Sequence, residues 1–566
     1  MSEVFDVAFM APLLRAVAGA GPSETVVAAV VLGALFLIYR ALTRQSQLDL
    51  DKVPGPWKKA LPVIGNALSL LKPDFHRQFL AWNDEYGGIC RIKFFWTDVL
   101  LVTDPLALGT IMGRGEGAVD KAFETYAPIN KMTDPHGNPN LLTAPADEKW
   151  KAIRKGVAVS FAFQNIKRKY PMILERVNRV IARAGALGAG AAVDVDQLAL
   201  RVTLDVIGLA GFGHDYQSVD RDVPEYDHLL RVLPRCFTEV MLRVINPIRP
   251  IFPKWFNNGP KGAAAFHEFQ SQMRFLLDKI RADGQPAEDD TDIGAQATAA
   301  PCGAALCAYI GLADLLQVWR VMNEHPDISE DRMLSEIGML FVEGFETTGH
   351  TTSWTLFNIA THPEVQAKIA DELDGLGLLH KPGCPPPREL ELDDIKRMPY
   401  MAAAAKEGMR MYPVVSIMGR MATKVTKVGP YTVPKGTVVG TPLFAIQNTI
   451  HNWDEPMEFR PERWAEVPIE TWVYNSREAA GGGARGITFM PFSEGPRNCV
   501  GQSLAKMEVM TLLAKLLASF RIELAPEMGG REGIRKREST AMTLQTTGTK
   551  GIRCHLHPRG DTVAAL

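Results

Sequence analysis

Two rhythms of apolar and polar positions run along this chain, and the helical one dominates. Behind Cys499 the positions Leu504, Met507, Leu512, Leu513, Leu516 and Leu517 recur at helical spacing. The longest predicted helix opens at Asp327, with Glu330 three residues later as in a capping box, and stops before Pro363. That gives roughly 34 residues and about 50 Å, enough to cross a whole domain. Gly344 and Gly349 weaken it midway, and Thr347, Thr348, Thr351 and Thr352 supply hydroxyls that compete for backbone carbonyls, so a groove in its hydrogen-bond ladder is expected there. Further helices are predicted from Glu148 onward and over 398–412. Strand-like runs are short. Residues 89–95 and 99–102 predict a small sheet, and 539–556 alternates around Thr546-Thr547-Gly548, a hairpin signal. The sum is a mainly α chain with small β-sheets, an α+β class.

One apolar run belongs to neither rhythm. Residues 25–39 read TVVAAVVLGALFLIY without a charge, reaching about 18 if Arg40 snorkels and Ala41 and Leu42 are counted. Arg40, Arg44, Lys52, Lys58 and Lys59 follow it, while Glu3, Asp6 and Glu24 precede it with Arg15. This asymmetry puts the N-terminus across a membrane and the remainder in the cytosol. The flank offers no small-x-small cleavage site, and the segment is not the acid-poor, Arg- and Ser-rich kind of a transit peptide. The expected organisation is a lumenal segment over 1–24, a signal anchor over 25–42, a basic and proline-rich hinge over 43–66 (Pro54-Gly55-Pro56-Trp57, then Pro62), and a catalytic domain over 67–558. Residues 281–305, acidic and then Ala/Gly-rich, read as a mobile insertion. Residues 243–256, RVINPIRPIFPKWF, cannot form a regular helix because of their three prolines.

Composition narrows the classes. With 46% hydrophobic and 22% charged residues, the 566-residue chain can bury a large core. A formal charge of −2, with no basic cluster interleaved with aromatics, gives no reason to expect nucleic acid. The seven cysteines are scattered without a metal-site rhythm; Cys302 and Cys307 lie close together, but no second pair completes a zinc site. That argues for a reducing compartment.

The chemistry gathers on residues 492–501, FSEGPRNCVG. Cys499 sits at a helix N-terminus, where the dipole favours thiolate over thiol. Gly495 and Gly501 let backbone N–H groups approach the sulfur. The spacing Phe-x-x-Gly-x-Arg-x-Cys-x-Gly resembles the haem-binding loop of the cytochrome P-450 family. Glu346-Thr347-Thr348 behind Gly344 resembles that family's Gly-x-Asp/Glu-Thr-Thr motif on its long central helix, and Glu407-Gly-Met-Arg410 its Glu-x-x-Arg pair.

The resemblance covers about residues 54–557 and implies a membrane-bound haem-thiolate monooxygenase. Cys499 would be the axial ligand of the iron of haem b. Trp150, Arg154, Arg420, Phe492, Gly495, Arg497 and Gly501 would contact the haem, Trp150 and the arginines through its propionates. Glu346 and Thr347 would relay protons for the activation of O2, the co-substrate. Glu343, where the family commonly has a small residue, resembles the fatty-acid ω-hydroxylase branch, in which this glutamate can be esterified to the haem. Glu407, Arg410 and Arg463 would form a buried brace. Val414, Val415, Ile417 and Phe345 would line the pocket of an apolar substrate: a fatty acid, a sterol or a terpenoid. The expected electron donor is an NADPH-cytochrome reductase, with cytochrome b5 as a second candidate, docking on Lys151, Lys155, Lys167, Arg168 and Lys169. The expected site is the endoplasmic reticulum membrane, with a plastid membrane as the alternative. Two other haem classes differ in chemistry: a lyase or isomerase of hydroperoxides can dispense with the relay, and a haem sensor turns nothing over.

Overall fold

The computed structural model describes residues 48–560 and 563, except 63, 96, 114–118, 189, 221–223, 247–248, 251–252, 257, 284–328, 477–485 and 548–550. The expected anchor at 25–42, Cys302, Cys307, Asp327, Gly548 and all but the first three residues of the expected insertion lie outside the described residues. Among the described residues no helix is long and apolar enough to cross a membrane.

Helices carry most of the fold. Those that frame the site are α1 (Phe75–Tyr86), α2 (Phe123–Thr133), α3 (Glu148–Ser160), α4 (Phe163–Ala186), α5 (Val195–Phe212), α6 (Pro224–Ile245), α7 (Gly259–Asp283), α8 (Glu330–Ala360), α9 (Pro399–Met411) and α10 (Gln502–Ser519). The central helix α8 begins after Ser329, whose hydroxyl accepts the Arg332 N–H. It runs unbroken through Gly344 and Gly349, contrary to the expectation of a weakened middle, because both glycines serve packing. A Cβ on Gly344 would stand 2.4 Å from Ile207, and one on Gly349 2.7 Å from Leu200, so α5 lies against α8 closer than side chains allow elsewhere. Competition for carbonyls does occur. The Thr347 hydroxyl donates to Glu343 O, Thr352 to Thr348 O and Ser353 to Gly349 O, while Thr203 on α5 donates to Phe345 O.

The expected early sheet exists and is larger than the local pattern implies. Ile89–Phe94 and Thr97–Val102 form an antiparallel hairpin. Val438–Thr441 joins it in parallel, followed by Met418–Ala422 and Val119–Lys121. Pro54–Trp57 is docked on this sheet: Arg91 N donates to Pro54 O, and a Cβ on Gly55 would stand 2.0 Å from Arg91 O. The Arg91 guanidinium lies over the Trp57 ring at 4.4 Å.

Two expectations on elements are corrected. The C-terminal hairpin is Glu538–Thr540 with Leu544–Thr546, so its turn is Ala541-Met542-Thr543, five residues before the expected one. The alternation beyond it belongs to a different strand, Arg553–Pro558, which pairs with Phe520–Leu524 and Ala192–Asp194. Arg243 and Val244 continue helix α6, since the first proline of that stretch lies only at 247. The core gathers around α8: Trp354 stacks on Tyr412 with ring centroids 4.2 Å apart and donates its N–H to Leu544 O.

Candidate active site

The loop ahead of α10 is held in a shape that few residues other than its own could adopt. Ser493 and Gly495 both have positive φ, and a Cβ on Gly495 would stand 2.0 Å from Met112 O. Cys499 N donates to Phe492 O at 2.8 Å, closing the loop so that the sulfur faces a cavity of about 670 Å³. Cys499 is exposed to that space yet enclosed by the protein. Burial, reinforced by Glu343, pushes its thiol up to about 11, while the Gly501 N–H, Arg154 and Lys506 pull the other way. Burial therefore works against the thiolate, and the neighbouring N–H and cations offset it only in part. A coordinated metal ion is the kind of charge that deprotonates such a thiol outright.

Beside the sulfur the cavity wall is cationic. Arg154 donates to Asn498 O, and Arg497 to Asp120 and Ala144 O. The Nε and Nη1 of Arg497 are buried without a partner. Trp150 lies under both guanidinium groups, 3.8 Å from Arg497 and 5.5 Å from Arg154. Its indole N–H is taken by Leu141 O at 2.9 Å, so it acts as a platform rather than as the expected donor to a carboxylate. Lys121, which sequence reasoning missed, is on this wall. Burial, with Arg420 beside it, holds its amine well below the usual lysine range, and Glu343 opposes that shift. Arg420 is its cross-strand partner and is buried, but it does not line the cavity.

Helix α8 adds Glu343, Glu346, Thr347 and Thr351 to the lining of the same cavity. Burial pushes Glu343 up to about 7, opposed by Lys121 and Arg154. Glu346 is buried, with Oε2 unpartnered. The Thr347 hydroxyl commits its proton to Glu343 O at 2.8 Å, which leaves its lone pairs free to accept. Val414, Val415 and Ile417 line the cavity, together with Met241, Val244 and Met542. Phe345 does not. It packs on Phe341 in the core between α5, α6 and α7, because it lies some 200° around the helix from Glu343.

Away from the cavity lining, Glu407 is surrounded. Arg410 donates to both its oxygens at 2.8 and 2.9 Å, Arg463 at 3.1 Å and the Trp464 indole at 3.0 Å. Arg410 also donates to Gln447 O and Pro456 O. Of the expected docking surface, Lys151, Lys155, Lys167 and Arg168 are exposed. Lys169 is buried with its amine on Ala210 O, since its position on α4 faces α5.

The Cytochrome P450 family model matches residues 54–547, from the docked Pro54 to the C-terminal hairpin. The chain belongs to the cytochrome P450 family. Similar curated P450s include Cytochrome P450 4V2 of Rattus norvegicus, 27% identical over 516 residues that cover 89% of this chain and 90% of the relative. Cytochrome P450 3A29 of Sus scrofa is 25% identical over 482 residues, 84% of this chain and 86% of the relative. Membership makes this P450 a haem-thiolate monooxygenase, an oxidoreductase using O2 and electrons supplied by a redox partner.

The residues present fit the haem of a P450. The unpartnered guanidinium nitrogens of Arg497, with Arg154 and Lys121 on the same wall, suit a pair of carboxylates, and Cys499 supplies the sulfur. Sequence reasoning missed Glu508. It lines the cavity with both carboxyl oxygens unpartnered, and burial pushes it well above the usual carboxylate range.

Proposed function

We propose that this P450 is a membrane-bound monooxygenase that inserts one atom of O2 into an apolar substrate of the fatty-acid, sterol or terpenoid class. Its electrons come from a separate NADPH-dependent flavoprotein reductase in the endoplasmic reticulum membrane. The observation that carries the reading is one cavity lined together by a cysteine thiol, an acid and an alcohol of one helix, and apolar side chains.

Haem bound in this cavity supplies the iron at which dioxygen is activated. Cys499 Sγ would bind that iron, and Arg154, Arg497 and Lys121 would hold the carboxylates. The other groups manage protons and water. Thr347, its proton committed to the helix carbonyl, accepts a hydrogen bond from a proton-bearing group on the cavity side. Glu346 offers its unpartnered Oε2 there as proton donor. Val414, Val415 and Ile417 would exclude water and hold the apolar chain of a substrate. Glu343 favours long-chain fatty acids among the substrate classes, through the likeness of Glu343-Gly344 to the ω-hydroxylase branch. Burial, which pushes this carboxyl up to about 7, favours its neutral form in an apolar cavity.

The test is turnover of the full chain with a reductase and NADPH on a panel of fatty acids, sterols and terpenoids. An oxygenated product dependent on NADPH and O2 supports the reading. Absence of product across the panel, from protein with an intact thiolate spectrum, contradicts it.

A further inference from the structure

One turn beyond Glu346 on α8, at the edge of the relay, stands a histidine that the site described above does not use. His350 is buried, with 3% of its surface exposed. Its Nδ1 lies 2.8 Å from Asp196 Oδ1, and its Nε2 lies 3.6 Å from Glu346 Oε1. Asp196 is the second residue of α5, whose close approach to α8 at Gly349 brings the two side chains together. Three ionisable groups from two helices therefore form a line, Asp196–His350–Glu346, and Glu346 alone of them reaches the cavity.

We infer that His350, clamped by Asp196, is an imidazolium that positions the Glu346 carboxyl and supplies the proton Glu346 passes into the cavity. The inference rests on the monooxygenase reading, which is what requires a proton there. The charges facing the ring are Glu346 on its own helix and Asp196 on α5, with Asp194 beyond Asp196. Burial alone would push His350 down, but the charge and hydrogen bond of Asp196, with Glu346 behind them, carry it up to about 10. Asp196 shifts reciprocally: burial opposes it, yet His350 holds it below the usual carboxylate range, helped by the Ser353 hydroxyl. One cation between two carboxylates leaves Glu346 the less tightly bound of the pair, at 3.6 rather than 2.8 Å.

The step balances without a further reactant. A side-chain rotation closes the 3.6 Å gap. The Nε2–H bond then breaks as a Glu346 O–H bond forms. The imidazole is left neutral, with its Nδ1–H still on Asp196, and regains its proton from water. The protonated carboxyl turns about its Cγ–Cδ bond, carrying that O–H from the His350 side to the cavity side, where the oxygen has no competing partner, and releases the proton there as the carboxylate re-forms. His350 is thus a positioning residue and a proton source; it touches neither substrate nor haem.

The experiment uses the full-length holoprotein in its reduced carbon monoxide form, labelled at histidine with ¹³C and ¹⁵N. The His350 resonance is identified by its loss in His350→Gln. It should stay in the imidazolium form past pH 8 in the wild type, and titrate lower by at least roughly one unit in Asp196→Asn. In turnover, product per NADPH should fall about 10-fold or more in His350→Gln, with peroxide rising and the solvent hydrogen isotope effect changed. A merely structural histidine would leave the isotope effect unmoved. Should His350→Gln fail to fold, Asp196→Asn carries both readouts. His350 titrating near 6.5 in the wild type overturns the inference, as does wild-type coupling in both variants. A wild type that yields no product defeats the monooxygenase reading instead, and the titration still decides the state of His350.

Discussion

The brace and the cavity lining are built on opposite terms. In the brace, every oxygen of Glu407 has donors: Arg410, Arg463 and Trp464 converge on it, and the leftover N–H groups of Arg410 end on backbone carbonyls. In the lining, on α8, Glu346 keeps an oxygen without a partner and Glu343 is pushed up to about 7 by burial. Both regions bury carboxylates. The first is satisfied and therefore rigid, a brace that holds a loop in register. The second is left incomplete, and an incomplete buried acid is a group whose proton can move. Incompleteness locates function here better than charge count does.

Removing the centre of the satisfied network should give the largest effect. Glu407→Ala strands two buried guanidinium groups and should destabilise the fold by about 3–5 kcal/mol, read as a large fall in unfolding midpoint and loss of haem-loaded protein. An unchanged midpoint would mean the brace is not the rigid half of the comparison. Next, Thr347→Ala should leave folding and the thiolate spectrum intact but lower product per NADPH by about 10-fold, with the electrons appearing in peroxide. A matching loss of stability would blur the distinction between the two sides.

Arg497→Gln removes the guanidinium whose two nitrogens lack partners. It should weaken haem retention, measured by transfer to an apo-globin acceptor, by about 10-fold, because one charge-assisted contact is lost while Arg154 and Lys121 remain. A smaller effect is expected from pH. The folded-state pKa of His350 is raised, so its contribution to stability is complete below about 6.5 and is lost as pH rises through about 10. Denaturant midpoints of wild type and His350→Gln should therefore converge across that window. Finally, acid-acetone extraction asks whether Glu343 is joined to the haem: retained haem that becomes fully extractable in Glu343→Gln supports the ester, and full release from the wild type rules it out.

Much of the brace and of the cysteine loop was legible in the sequence because it is local. The loop spacing around Cys499 and the Glu407–Arg410 pair one helical turn apart are short-range patterns, and Arg463 was placed by the family's order of motifs. What the sequence hid is set by contacts between distant residues. Lys121 reads as an ordinary lysine until its strand pairs with Arg420 across some 300 residues. The Asp196–His350 pair exists only because Gly349 lets α5 approach. The hairpin turn at Ala541-Met542-Thr543 carries no glycine, so the glycine at 548 drew the expectation away from it. Trp150 was placed correctly on its helix, yet its one donor went to a backbone carbonyl no spacing rule could reveal. Phe345 was misassigned by helix phase alone.

The central claim is that Cys499 is the sulfur ligand around which both sides are arranged. The direct measurement is the reduced carbon monoxide difference spectrum of the wild type beside Cys499→Ala. A thiolate-type Soret band in the wild type, absent from the variant, is the predicted result. The same band persisting in Cys499→Ala would contradict the assignment of the ligand and, with it, the comparison of brace and lining.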